Sequence, residues 1–306
     1  MIMRSTIATA LTVTLAALGL AGCAPAASDE PLVAVTTNIL GDVVSQVVGD
    51  EAEVLVLMKP DADPHSFEIS AREASRILDA DLIVSNGLGL EEGLRRHLDA
   101  AAAEGVAQLT AGDVIDVIPY ASGDAEGVDD PHFWTDPGRM VDVVDALAAS
   151  VLENVPGVDA AAIESNAAQY RAELLALDQE MESSFAAIPA GNRQLVTNHH
   201  VFGYLADRFD FTIVGAVIPG GSTLAAPSAS DLRDLVGAIE QAGVRTIFAE
   251  SSQPDRLIQV LADEAGIQVA VTELFTESLS GPGSGAESYL TMMRTNMERI
   301  STGLMP

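Results

Sequence analysis

From Leu32 onward, short apolar runs alternate with stretches in which apolar residues recur every three or four positions. The runs read as buried strands and the spaced stretches as helices. Leu32 to Val35 is a strand that ends in the polar turn Thr36-Thr37-Asn38. Leu40 to Val48 has helical spacing and stops at Gly49, a residue suited to end a helix. Glu53 to Met58 is the next strand, Ser70 caps a helix carrying Ala74, Ile77 and Leu78, and Asp81 to Ser85 is a third strand. Glu91 to Ala103 reads as an Ala-rich helix, with Val106 to Leu109 and Val114 to Ile118 as weaker strands.

After Pro137 the pattern lengthens. Asp136-Pro137 offers an N-cap and a proline at the first helical position for a helix running to Asn154. Asp159 then caps a run from Ala160 to Ala187 with no Pro or Gly, which as one helix spans about 42 Å at ~1.5 Å per residue. Beyond it the alternation returns. The strands are Gln194–Thr197, Phe211–Ile218, Thr246–Ala249 and Ile267–Val271; the helices are Val201–Arg208, one from Ser228 or Ser230 to Gln241, Pro254–Ala265 and Glu287–Leu304. The expected fold class is α/β: two lobes with parallel sheets flanked by helices, joined by one long rigid connecting helix. The boundaries are 32–157 for the first lobe, 158–190 for the connector and 191–306 for the second lobe.

The residues before Leu32 do not belong to this pattern. Arg4 precedes the apolar stretch Ile7 to Leu20, which is too short to favour a spanning helix. Leu20-Ala21-Gly22-Cys23 follows and resembles a bacterial lipobox, in which the Cys thiol receives lipid and becomes the mature N-terminus. Residues 1–22 then form the signal peptide and 23–31 an Ala/Ser/Pro-rich tether. Cys23 is the single cysteine, so no disulfide forms within the chain. The expected location is extracytoplasmic, lipid-anchored to the membrane, on a cell surface or in a periplasm.

Charge removes one class of partner. The 306-residue chain carries a formal net charge of -30, and Lys59 is its only lysine. Without a basic patch, nucleic acid is not an expected partner. The acidic balance attracts cations over a distance. Part of it lies in Ser122 to Asp130, an acidic segment expected as an exposed loop.

The candidate chemistry lies in the histidines. His65 sits in Asp63-Pro64-His65-Ser66-Phe67-Glu68, and His132 in Asp130-Pro131-His132-Phe133-Trp134-Thr135-Asp136-Pro137. His199 and His200 follow the strand that ends at Thr197. His97 lies within a polar-faced helix and reads as a surface residue. In parallel sheets ligands gather outside the carboxyl ends of the strands. Two facing lobes would therefore bring His65 and His132 against His199 or His200 and an acid, a set suited to a borderline divalent cation such as Zn²⁺ or Mn²⁺. The spacing of 67 residues from 65 to 132, and again from 132 to 199, matches no local zinc pattern. Glu250, Asp63 and Asp130 are candidate acceptors for ligand imidazole N–H groups.

These motifs together resemble the metal-binding lipoproteins of zinc and manganese ABC importers, the ZnuA/TroA-like group. Asp63-Pro64-His65 and the Asp130 to Pro137 segment match its first two ligand motifs. Thr197-Asn198-His199-His200-Val201-Phe202-Gly203-Tyr204 resembles the third and Leu274 to Leu279 the fourth. Ser288 to Met293 matches the group's closing helix. The resemblance implies His65, His132, His199 and Glu277 as ligands, with Glu277 where the group usually has Asp; His200 is the competitor of His199, or else faces the cleft as an additional, second-layer or transient ligand. The resemblance also implies Zn²⁺ as cargo, with Mn²⁺ as the alternative, and a cognate ABC permease with its ATPase as partners. A monomeric binding module without catalysis is expected, because four protein ligands would close the site, and the long stiff connector predicts lobes that close only slightly on binding. A secreted zinc hydrolase is the competing class, and a surface adhesion role could coexist with metal binding. Replacing Cys23 by Ala is expected to abolish incorporation of labelled palmitate into the expressed protein and release it from the membrane fraction.

Overall fold

The computed structural model describes residues 30–218, 220–225, 227–251, 259–260 and 270–305. The signal peptide, Cys23, the start of the last strand and most of the expected helix Pro254 to Ala265 lie outside these residues.

The first sheet has the order β2-β1-β3-β4, built from β1 (Leu32–Val35), β2 (Glu53–Val56), β3 (Leu82–Ser85) and β4 (Ala107–Thr110). All of its pairings are parallel. The chain leaves β1 for β2 on one side and returns to β3 on the other, so the carboxyl ends of these strands frame a crevice. Helices α1 (Asn38–Val48), α2 (Ala71–Leu78) and α3 (Arg95–Ala103) supply the connections. The caps follow the local sequence. Ser70 and Glu73 form a capping box on α2, and α1 ends at Gly49, whose φ of 58° lies in the left-handed region.

Two sequence expectations fail here. The helix expected from Glu91 begins only at Arg95. Glu91 is instead buried and accepts hydrogen bonds from Thr36 Oγ1 (2.6 Å) and the amides of Asn86 (2.7 Å) and Gly87 (3.1 Å). Residues 92–94 form a turn ahead of the helix instead. Val114–Ile118 forms no strand either; among the described residues the segment has no ladder partner, and only the following Pro119 makes a single bridge, to Asp129.

Helix α4 (Pro137–Asn154) starts at the Asp136 cap, whose side chain accepts from the Gly138 amide at 2.8 Å. Helix α5 (Ala160–Ala186) is unbroken over 27 residues, about 40 Å at ~1.5 Å per residue. Its buried positions, Ile163, Ala167, Tyr170, Leu174, Leu177, Met181 and Phe185, form one stripe at helical spacing. The stripe packs on α4, α1 and the closing helix α8 (Tyr289–Leu304). The connector is therefore packed along its length.

The second lobe holds the parallel pairs β5–β6 (Gln194–Thr197, Thr212–Ala216) and β7–β8 (Thr246–Glu250, Ala270–Leu274), with α6 (Gly203–Phe209) and α7 (Ala229–Ala242). One apolar cluster extends from Val33 and Val84 through α4 and α5 to Leu274, Phe275 and Tyr289. Among the described residues no helix is long and apolar enough to cross a membrane. Leu174 is fully buried in the α5 stripe. Leu174→Ala is expected to destabilise the protein by about 3 kcal/mol, read as a lower urea midpoint with an unchanged slope.

Candidate metal centre

The two Asp-Pro-His copies fold alike. In each, the Asp side chain accepts the backbone N–H of the His two residues on, at 2.8 Å for Asp63–His65 and 2.9 Å for Asp130–His132. This local turn is one that Asp forms readily, and the intervening Pro restricts the Asp backbone to the extended region that permits it. In the second copy Asp130 Oδ1 also takes the ring Nδ1–H of His132 at 2.7 Å. A short 3₁₀ turn, Phe133–Thr135, then leads into the Asp136 cap.

His199 stands two residues beyond β5. Thr197 Oγ1 and the Val201 amide both donate to its carbonyl, at 2.6 and 3.0 Å. Its ring Nδ1–H donates to Glu250, the last residue of β7. Carboxylates accept, so the protons of His132 and His199 lie on Nδ1 and both Nε2 lone pairs face the opposite way.

They face each other. His132 Nε2 is 3.4 Å from His65 Nε2 and 3.4 Å from His199 Nε2. Glu277 Oε1 lies 3.0 Å from His65 Nε2, 3.3 Å from His132 Nε2 and 3.2 Å from His199 Nε2. All four residues are buried, none more than 3% exposed. These four form a group able to hold a metal ion, with one donor atom from each. The second oxygens of Glu277 and Glu250 are buried without a hydrogen bond among the described residues.

The loop that carries Glu277 is braced on several sides. Trp134 Nε1–H donates to the Thr276 carbonyl at 2.8 Å. Asn296 clasps Phe275, accepting its amide at 2.9 Å and donating to its carbonyl at 2.6 Å. Asn38 donates to Ser278 Oγ at 2.8 Å and accepts the Leu279 amide at 2.9 Å. Trp134 and Asn38 belong to the first lobe and Thr276 to Leu279 to the second, so these bonds cross between lobes. Tyr120 makes a further crossing: its hydroxyl donates to the Gly221 carbonyl at 2.8 Å and lies 3.3 Å from His132 Nδ1. Thr223 Oγ1 donates to Asp63 at 2.6 Å. Asn38, Trp134, Tyr120 and Asn296 escape sequence reasoning as site residues. Trp134 alone carried a signal, as the lone tryptophan beside His132.

The remaining candidates lie elsewhere. His200 is buried but lies outside the group of four donors, its ring centroid 6.4 Å from that of Tyr120. His97 is half-buried on α3, outside the group. Residues 122–129 form a largely exposed loop closed by the Pro119–Asp129 bridge.

Electrostatics follow from this burial. Burial opposes charge on His199, yet Glu250 and Glu277 outweigh it and hold its pKa well above the usual imidazole value. His132 is also raised: burial lowers it, while the Asp130 carboxylate and the Glu277 contact act more strongly together. Burial raises Glu277, but His199 and the hydrogen bonds from His132, His199 and His65 take it well below the ordinary carboxylate value. His200 is lowered by burial and by its neighbour His199.

Residues 33–303 match the family of zinc-uptake complex component A periplasmic proteins. The chain belongs to that family. The manganese ABC transporter substrate-binding lipoprotein PsaA of Streptococcus pneumoniae is 28% identical to it over 289 residues, covering 92% of each chain. The iron-binding protein YfeA of Yersinia pestis is 27% identical over 271 residues, which cover 89% of this chain and 85% of YfeA. The periplasmic zinc-binding protein TroA of Treponema pallidum superimposes with a TM-score of 0.83 at 28% identity, over 90% of this chain and all of TroA.

The raised pKa of His199 has a definite sign. A ring whose folded pKa exceeds its unfolded value stabilises the fold below about pH 6.5, and that contribution is lost as pH rises through the folded pKa. Ring-proton NMR of metal-free protein is expected to give a His199 midpoint above that of free imidazole. Glu250→Gln should move the midpoint down.

Proposed function

We propose that the protein is the extracytoplasmic solute-binding component of a metal ABC importer. In this reading it captures Zn²⁺ between its lobes through His65, His132, His199 and Glu277 and delivers it to a membrane permease served by an ATPase. The observation that carries the reading is the spacing of the four donors. A tetrahedral ion with bonds of about 2.0–2.1 Å needs donor separations of about 3.3–3.4 Å. Five of the six separations here run from 3.0 to 3.4 Å, and all four donor atoms lie within 4.8 Å of one another. Three neutral imidazoles and one carboxylate are also the donor chemistry that suits zinc.

Asp130 and Glu250 complete the design. Each fixes a tautomer, aims the Nε2 lone pair and raises ligand basicity. Four protein donors fill a tetrahedral shell and leave no position for a metal-bound water, so the reading is capture rather than hydrolysis. The names of PsaA and YfeA add importer association and lipid anchoring in one case and iron binding in the other. The lipobox around Cys23 agrees with an anchor on the outer face of the cytoplasmic membrane.

A second reading, Mn²⁺ as cargo in the same role, is favoured by one feature. Glu277 Oε2 is buried and without a hydrogen bond among the described residues, so the carboxylate could bind through both oxygens and widen the shell beyond four. More oxygen and a higher coordination number suit manganese. Zinc still stands above manganese in intrinsic affinity for such donors.

The test is loading of apo protein with equimolar Zn²⁺ and Mn²⁺, followed by measurement of the bound metal. Zinc is expected to dominate. His199→Ala and Glu277→Ala are each expected to lose about 100-fold or more in zinc affinity, and Asp130→Asn about 10- to 100-fold. Manganese in the loaded wild type, or full zinc affinity in His199→Ala, would overturn the respective assignment.

A further inference from the structure

The four donors are buried, so a cation needs a route to them. A cavity of about 530 Å³ lies beside the group, lined by Tyr120, Asp130, His200, Gly203, Ala206 and Asp207 among others. Its rim includes the exposed Ser122 and Asp207. Beyond Ser122 runs the acidic loop with Asp124, Glu126 and Asp129, all exposed. With a net charge of -30 on the chain, the field at this mouth draws cations inward.

His200 lines the inner part of the cavity. It is 7% exposed, and no hydrogen bond engages its ring among the described residues. A buried imidazole without a partner is costly unless something binds it in turn. Asp130 lines the same cavity and links it to the donors, because its Oδ1 holds His132. Its other oxygen, Oδ2, faces Gly203, where a Cβ would collide with it. Only glycine at 203 leaves that oxygen room. Tyr120 stands between the two compartments, its ring centroid 6.4 Å from that of His200 and 6.1 Å from that of His132.

We propose that His200 and Asp130 Oδ2 form a transient divalent-cation subsite in this cavity, through which the ion passes to and from the buried donors. The inference rests on the reading of His65, His132, His199 and Glu277 as the resident site. An imidazole and a carboxylate oxygen can replace part of the hydration shell of a borderline cation without holding it as tightly as four donors would. His200 thereby acts on rates and leaves the resident equilibrium nearly unchanged.

Trp134 supplies the probe. It is the only tryptophan, and its ring centroid lies 5.2 Å from that of His132. Stopped-flow tryptophan fluorescence with Zn²⁺ gives association, and mixing loaded protein with excess chelator gives release. His200→Ala is expected to slow both by about tenfold while equilibrium affinity stays within about threefold. His200→Asp, which keeps a cation-binding group, should restore most of the rate. Ala206→Phe, which adds bulk to the cavity lining at a residue outside the donor group, should slow both steps as well. Wild-type rates in either His200→Ala or Ala206→Phe overturn the proposal. So does a large loss of affinity in His200→Ala with unchanged association, since that outcome makes His200 a resident ligand. If the wild type binds no Zn²⁺ in an equilibrium titration, the resident-site reading fails instead, and the two failures are distinct.

Discussion

Three imidazole lone pairs and a carboxylate oxygen, all within contact distance and all buried, repel one another unless positive charge sits among them. The rest of the structure supplies what that arrangement needs. Asp130 and Glu250 hold two of the rings in one tautomer. Trp134, Asn38 and Asn296 pin the Glu277 loop. The positive charge comes either from protons, which is why His132 and His199 are raised, or from a metal ion. The two compete for the same nitrogens, so acid and metal oppose each other at this centre.

Strand carboxyl ends explain how distant residues meet. His65 follows β2, His199 follows β5, Glu250 ends β7 and Glu277 follows β8. No local spacing encodes this meeting. The short-range part was legible: each Asp-Pro-His copy makes its own turn, and Asp136-Pro137 caps its own helix, because two or three adjacent residues decide those geometries. The alternation of strands and helices was legible for the same reason. Glu91 was not, because its burial depends on amides that only the β3 loop brings near. Val114–Ile118 has strand composition but is not drawn into the sheet, which ends at β4, so tertiary context overrode its propensity.

His199 and His200 show the limit most plainly. They are adjacent and chemically identical, so composition and periodicity cannot separate them. The backbone after β5 separates them: the Thr197 and Val201 bonds to the His199 carbonyl turn one ring toward Glu250 and Glu277 and the other toward the cavity. Tyr120 and Asn38 were equally hidden, since each acts on a partner more than a hundred residues away.

The apolar stripe of α5 has a further meaning. Each lobe keeps a small apolar cluster of its own, around Ile77 and Ile83 in the first and around Ile239 and Ile247 in the second, but the largest cluster runs from β1 through this helix to α8 and belongs to both. Loosening either half strips cover from the same side chains. The shared cluster therefore couples the two lobes energetically: exposing the α5 stripe costs both halves at once.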